Sequence, residues 1–195
     1  MKTSDFDYDL PSERIAQTPI EPRDASRLLV LHRDTGELEH SVFRDLERYL
    51  EPGDLLVLNE TKVIPARLPV IKKPGGGRAE LLLLRQVDDN TWEVLVGGSG
   101  LTVGRCLQVA GDVHAEIVDV LDGPRRIVRF NQPIGQMLDQ FGVMPLPPYI
   151  HTPLANPERY QTIYARQSGS VAAPTAGLHF TPELIQRLGA KGVRF

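Results

Sequence analysis

One cysteine, Cys106, stands among 195 residues, so no disulfide can form within the chain, and such sparing use suits a reducing compartment. No apolar run approaches the roughly 20 residues that a bilayer-spanning helix needs. The opening Met1-Lys2-Thr3-Ser4-Asp5 lacks the charged, apolar and small-residue regions of a signal peptide. Nowhere do histidine, cysteine and carboxylates cluster at metal-ligand spacing, which argues against a zinc site. Internal repeats and low-complexity tracts are missing too. These absences lead us to expect a cytoplasmic protein without a metal. Hydrophobic residues at 41% and charged residues at 24% are ordinary proportions for a globular chain long enough to bury a core.

A large positive charge is also lacking. The net charge is −3, which is not the global signature of a nucleic-acid binder. The distribution is less even than the sum. Lys62, Arg67, Lys72, Lys73, Arg78 and Arg85 crowd residues 62–85 against Glu80 alone, and Arg125, Arg126 and Arg129 form a second basic run. The first fifty residues lean acidic. A local basic surface can grip phosphates despite a negative total, although exposed strand faces also carry Lys and Arg for solvation and edge protection.

The pattern predicts an α/β chain interrupted by a β module. Leu28 to Leu31 reads as a strand, Asp34-Thr35-Gly36 as a turn and Glu37 to Glu39 as the return of a hairpin. Ser41 then reads as the cap of a helix with Val42, Phe43, Leu46, Tyr49 and Leu50 on one face, stopped by Pro52-Gly53. Leu55 to Leu58 has the continuous apolar character of a buried strand. After Pro65, strand candidates follow at 67–71, 79–84, 91–96, 106–109, 114–120 and 126–130 with turn residues between them. Short strands at that spacing indicate a small barrel or sandwich. Pro133 to Phe141 reads as a helix ended by Gly142, and Pro145 to Pro148 as a stiff connection. The predicted organisation is an α/β core over residues 1–64, an inserted antiparallel β-barrel-like domain over 65–143, and the core continued over 144–195.

The segment Val171-Ala172-Ala173-Pro174-Thr175-Ala176-Gly177-Leu178-His179-Phe180-Thr181 is required by no simple folding rule. It ends on a helix start, with Thr181 as N-cap, Pro182 at the first helical position and Glu183 at the positive end of the dipole, and that helix should stop at Gly189 or Gly192. It therefore reads as a loop that presents backbone N–H groups, a hydroxyl and an imidazole at a helix N-terminus, a place suited to an anionic ligand group. An ordinary tight connection with a packed histidine is the competing reading.

This segment, together with Glu21 to Val30, Leu58-Asn59-Glu60-Thr61-Lys62-Val63-Ile64-Pro65-Ala66-Arg67-Leu68 and Met144-Pro145-Leu146-Pro147-Pro148-Tyr149-Ile150, resembles the S-adenosylmethionine:tRNA ribosyltransferase-isomerase family of queuosine biosynthesis. Phe6 to Pro11 and Tyr160 to Ala165 are similar to the same family. The motifs keep the family's order from near residue 5 to the last residue. The resemblance implies transfer and isomerisation of the ribosyl group of S-adenosylmethionine onto 7-aminomethyl-7-deazaguanine at the tRNA wobble position. Epoxyqueuosine-tRNA forms, and adenine and methionine leave. It implies S-adenosylmethionine as co-substrate, no bound prosthetic group, a modified tRNA as partner, no membrane and a monomer. Family members also continue further, and Val193-Arg194-Phe195 resembles a strand barely begun, so a C-terminally truncated chain is expected, against a complete minimal homologue.

Among the residues that match, His179 is the catalytic candidate, because an imidazole transfers protons near neutral pH; the alternative is a histidine that orders its loop. The substrate-binding candidates are Arg23, Asp24, Arg27, Asn59, Lys62, Arg67, Thr175, Ala176, Gly177, Phe180 and Thr181. Arg23, Asp24 and Arg27 read either as a clamp for anionic and hydroxyl groups or as a salt-bridge knot in which an arginine neutralises Asp24. Asn59, Lys62 and Arg67 follow the predicted strand 55–58, at the end where open α/β sheets bind ligands. Gly177 serves either a ligand contact or backbone freedom. Competing functions are a non-catalytic tRNA-binding module, an inactive fragment of this enzyme, and a methyltransferase; the last is disfavoured because no glycine-rich nucleotide loop lies near the start of the chain.

Overall fold

A computed structural model describes residues 1–195. They divide into two compact units: Met1–Leu58 with Leu146–Arg159 and Leu178–Phe195, and Asn59–Pro145 with Tyr160–Gly177.

The first unit opens with three short 3-10 turns and then the expected hairpin. Strand β1 (Arg27–Leu31) pairs antiparallel with β2 (Leu38–Val42), with Leu29 opposite His40. Gly36 makes the turn at φ 74°, a value open to glycine without a Cβ penalty. The helix expected from Ser41 starts later and is of the tighter kind, a 3-10 helix over Phe43–Tyr49. Ser41 does not cap it. It pairs with Leu28 in the hairpin, so its backbone is extended when the helix begins, and its hydroxyl is buried without a partner.

The helix Pro182–Lys191 follows its sequence signals closely. Thr181 Oγ1 accepts the Leu184 N–H at 3.2 Å, Pro182 takes the first turn, and Gly192 ends the helix in the left-handed region at φ 95°. Leu184 and Leu188 are fully buried, one turn apart on a single face. Arg187 Nε donates to Glu47 at 3.3 Å, and Lys191 Nζ donates to the Glu47 carbonyl at 2.8 Å, so this helix is laced to the Phe43–Tyr49 helix.

Leu55 to Leu58 is not the buried strand its composition suggests. It makes one parallel bridge, Leu55 to Arg194, with Leu56 N–H donating to the Arg194 carbonyl at 2.9 Å. Val57 is 88% exposed. An apolar run becomes a buried strand only where neighbours take up both its amides and its side chains, and here one residue supplies the pairing.

In the second unit, β3 (Thr61–Val63) pairs in parallel with β10 (Gln167–Ser170), and between them in sequence lie the six strands of a closed barrel. These are β4 (Arg67–Lys73), β5 (Arg78–Gln86), β6 (Thr91–Gly97), β7 (Cys106–Ala110), β8 (Val113–Val120) and β9 (Arg125–Phe130). Their order around the barrel is β4-β5-β6-β9-β8-β7, every neighbour antiparallel. All six predicted strands are present. Alternate side chains turn inward, as the period of two demands: Leu68, Leu81, Leu83, Val94, Leu107, Ile117, Val128 and Phe130 are buried in one core. Ile134 and Leu138 join that core from the segment after β9. The helix expected at 133–141 shrinks there to a 3-10 turn (Gly135–Met137) and a four-residue α-helix (Leu138–Phe141), neither capped by a side chain.

The parallel pair escaped the sequence reading, because Gln167-Ser168-Gly169-Ser170 has no strand-like composition. A side chain holds the pair's neighbourhood instead. Buried Gln161 accepts the Val63 N–H at 2.9 Å and donates to the Val63 carbonyl at 2.7 Å, standing in for a strand neighbour.

Two outcomes follow. Phe130→Ala, which empties the largest fully buried side chain of the barrel core, should lower stability by about 3–5 kcal/mol in urea unfolding; a loss under about 1 kcal/mol would mean that this core is not close-packed. On the barrel wall, Glu93 accepts Arg125 Nε at 2.8 Å and Arg85 Nη2 at 3.1 Å. These bonds, Arg125 first, hold the Glu93 carboxyl below the usual glutamate range. A folded pKa below the unfolded one contributes stability that is complete above the unfolded value, near 4.3, and is lost as pH falls through the folded value. Glu93→Gln should therefore flatten the fall of the thermal midpoint on acidification from about pH 5 downward. Parallel pH curves for the two proteins would rule this out.

Candidate functional site

The segment singled out in the sequence folds into a 3-10 turn, Thr175–His179, followed by an extended Thr181. Gly177 N–H donates to the Pro174 carbonyl at 2.8 Å and closes the turn. Gly177 is buried. A methyl built on its α-carbon would collide with the Tyr164 hydroxyl and lie 2.9 Å from Thr162 Cγ2. Glycine is required there by close approach of neighbours, not by an unusual φ. Burial raises the Tyr164 phenol above its ordinary pKa, so the group pressed against Gly177 is a neutral hydroxyl at physiological pH. Thr162 brings a buried hydroxyl with no partner, an orphaned polar atom beside the motif.

His179 belongs to the first unit, where it makes a defined set of contacts. Its Nδ1 lies 2.8 Å from Ser26 Oγ. Its ring packs on Phe43 with centroids 5.2 Å apart, and Phe43 meets Phe180 edge-on at 5.1 Å. Ser26 Oγ is also placed to donate to the Arg23 carbonyl at 3.1 Å. A hydroxyl has one proton; when Ser26 spends it on Arg23, Nδ1 must be the donor to Ser26 and the Nε2 lone pair is left to act as a base. The histidine is thus oriented by a side-chain hydroxyl.

Arg23 donates to the Glu158 carbonyl at 2.9 Å and reaches the Leu178 carbonyl at 3.5 Å. Burial lowers its pKa from the usual arginine value, and Arg159 adds to the effect. Its guanidinium therefore ties the Arg23–Ala25 turn to the residue just before His179. Asp24, only 14% exposed in its side chain, lies 3.8 Å from Arg44, a partner that the sequence did not single out. Arg27 opens β1 and is exposed. Phe180 is buried, and the Thr181 hydroxyl serves as the helix cap.

The remaining candidates fall in the second unit. Asn59 Oδ1 accepts the Thr61 N–H at 3.0 Å, an Asx turn. Lys62 is exposed on β3, opposite Ser168. Arg67 pairs with Glu80. Thr175 and Ala176 are exposed, ahead of buried Gly177. Because 55–58 is not a buried strand, these residues do not stand at the carboxyl end of one. The structure brings His179 together with Phe180 and the Arg23 backbone; the other candidates hold separate local roles. Ser26 and Phe43 were missed as partners of His179, although Ser26 sits inside the matching run 21–30. No three residues of the His, Cys, Asp and Glu types gather as a metal site, and no helix is long and apolar enough to cross a membrane.

The packing around Gly177 makes a direct prediction. Gly177→Ala should destabilise the second unit by about 1–3 kcal/mol, the usual cost of overpacking, and adding Tyr164→Phe should recover part of that loss by removing the oxygen. If Gly177→Ala unfolds with an unchanged midpoint, the close approach does not constrain the turn.

A family model described as a queuosine biosynthesis protein matches residues 3–195. The S-adenosylmethionine:tRNA ribosyltransferase-isomerase of Symbiobacterium thermophilum is 53% identical over 99% of this chain and 58% of its own length. That of Desulfitobacterium hafniense is 54% identical over the same shares. A crystal structure of S-adenosylmethionine tRNA ribosyltransferase from Thermotoga maritima is 41% identical, covering 98% of this chain and 56% of that one, with a TM-score of 0.40. The chain thus spans about 58% of the length of the curated relatives it matches. With nearly every residue inside the match, the chain belongs to the queuosine biosynthesis protein family.

Proposed function

We propose that this chain serves the reaction named for its relatives, transferring the ribosyl group of S-adenosylmethionine to a tRNA and isomerising it. The observation that carries this is identity above one half along 99% of the chain to proteins of that name. In full, the acceptor is the aminomethyl group of 7-aminomethyl-7-deazaguanine at the wobble position, the product is epoxyqueuosine-tRNA, and adenine and methionine leave. The domain scheme belongs to the same proposal: an α/β core over 1–64 and 144–195 carrying the barrel domain, 65–143, as an insert, in a cytoplasmic monomer that uses S-adenosylmethionine without a prosthetic group.

The chemistry asks for a base beside the carbon next to the sulfonium, a proton donor for departing adenine, a site for the methionine carboxylate and a surface for RNA. His179 is the proton-transfer group of this reading, supported by the Ser26 contact that leaves Nε2 available. Arg23, Asp24, Arg27, Asn59, Lys62, Arg67, Thr175, Ala176, Gly177, Phe180 and Thr181 form the substrate-binding set. Among them, Arg23 acts by fixing the backbone before His179 through its bond toward Leu178, and Gly177 by admitting Tyr164.

The test is adenine release from S-adenosylmethionine, measured with tRNA carrying the deazaguanine precursor and with tRNA lacking it. Release should require the precursor and fall by about 10²–10⁴-fold in His179→Ala, the usual scale for a general acid or base. Ser26→Ala should shift the pH profile of the rate and leave the reaction detectable. No precursor-dependent release would remove the catalytic reading for this chain, and full activity in His179→Ala would remove the histidine's role.

A further inference from the structure

The barrel is electrically polarised along its axis. Antiparallel order puts the β4–β5 turn, the 98–105 connection and the β8–β9 turn at one mouth, and the β5–β6 and β7–β8 turns at the other. The first mouth collects Lys72, Lys73, Arg78 and Arg105 from its turns and strand ends; the second carries Asp88, Asp89 and Asp112. Cations nearer the second mouth are matched by acids, Arg67 by Glu80 and Arg85 by Glu93. The four at the first mouth pair with no carboxylate. Its acids are Glu80, the third residue of β5 and already bonded to Arg67, Asp119 and Asp122 on the β8–β9 side beside Arg125 and Arg126, and Glu116, which stands in register with both Cys106 and Arg129.

Local hydrogen bonds shape this cationic mouth. Lys72 Nζ donates to the Ser99 carbonyl at 3.1 Å, and Arg105 donates to the Gly100 carbonyl at 3.2 Å and the Lys73 carbonyl at 3.5 Å. Arg105 therefore ties the β4–β5 turn to the long connection. Between them lies an open depression of about 270 Å³, lined by Lys72, Gly75, Gly77, Ser99, Gly100 and Arg105. Gly75 at φ 114° and Gly100 at φ 69° have no atom within 4 Å of where a Cβ would stand, so bare backbone is exposed among the charges. Lys73 and Arg78 are exposed beside it. Like charges held together without counter-charge repel one another, and an anionic partner relieves that repulsion. An enclosed pocket would suit a single small anion. Four cations spread over two turns around a shallow depression suit a polyanion with repeating phosphates.

We propose that this mouth of the barrel is where the phosphate backbone of the tRNA docks. The inference rests on the reading above that a tRNA is the substrate. Each cation that neutralises a phosphate releases counterions and adds roughly 0.7–0.9 to the slope of log affinity against log salt.

The test measures binding of fluorescently labelled tRNA by anisotropy between low and moderate salt, using the full chain. Lys73→Ala/Arg78→Ala/Arg105→Ala should weaken binding at least about tenfold and reduce the salt slope by roughly 2–3. Lys73→Glu/Arg78→Glu, which leaves the Arg105 hydrogen bonds intact, should weaken it in the same direction with an unchanged thermal midpoint. The control Lys2→Ala/Arg14→Ala/Arg33→Ala removes the same charge from exposed positions off the barrel and should leave binding within about twofold, as residues making no phosphate contact do. Equal losses in control and mouth variants would overturn the proposal in favour of net charge. Undiminished binding by the mouth variants would overturn it while leaving the tRNA reading in place. Failure of the unaltered chain to bind tRNA would overturn both, and an acidic polypeptide that binds the mouth in place of RNA would identify the wrong polyanion.

Discussion

Closure of the six-stranded sheet is the constraint on which the second unit depends. It is completed where β4 meets β7, through the pairs Ile71 with Gln108, Lys72 with Leu107 and Lys73 with Cys106. With the sheet closed, each barrel strand has a strand neighbour on both sides and none is an edge strand. Closure also fixes which way each side chain faces. Leucine, valine and phenylalanine fill the inside, and Arg85, Glu93 and Arg125 meet on the outside. The same register sends the β4–β5 turn and the 98–105 connection to one end. The asymmetry of charge between the two mouths is therefore a product of topology acting on a chain whose total charge is close to neutral.

The first unit uses a different means of order. Its strands are few, and 3-10 turns outnumber long helices. What holds it are side chains reaching far along the chain: Arg23 to the carbonyls of Glu158 and Leu178, Arg159 to the Ile20 carbonyl and to Glu21, and Arg187 and Lys191 to Glu47 and its backbone. Arginine suits this task because its planar fork can satisfy several carbonyls at once. These bonds also set the surroundings of His179. Its ring rests against Phe43, its Nδ1 meets Ser26, and the carbonyl of its predecessor takes an Arg23 N–H. A proton-transfer histidine needs such fixing, since tautomer and ring angle decide which nitrogen faces a substrate.

Local signals were legible where local physics decides. Thr181, Pro182 and Gly192 start and stop a helix because capping and left-handed φ are properties of neighbouring residues. Short strand-like runs separated by turn residues from Arg67 to Phe130 announced six strands, because strand and turn preferences are set by neighbouring residues. The failures are equally physical. Ser41 carried a capping signal but was already paired to Leu28, and a strand overrides a cap. Leu55 to Leu58 looked buried, yet burial depends on what lies alongside, and only Arg194 pairs there. Gln167 to Ser170 forms a parallel pair without strand-like residues, since its hydrogen-bond partner is over a hundred residues away.

By itself, the sequence determined the family, through motifs in a fixed order, together with the barrel's strands and the capped helix before Gly192. It also marked His179, Gly177 and Arg23 as candidate site residues. Only the tertiary structure decided what each of them does locally: Gly177 is small because Tyr164 and Thr162 press on it, His179 is aimed by Ser26, and Arg23 works through carbonyls. It also decided that Lys72, Lys73, Arg78 and Arg105 share one end of a barrel. Spacing along a chain encodes neighbours within a turn or a strand, whereas contacts between distant segments arise only when strands close and helices pack.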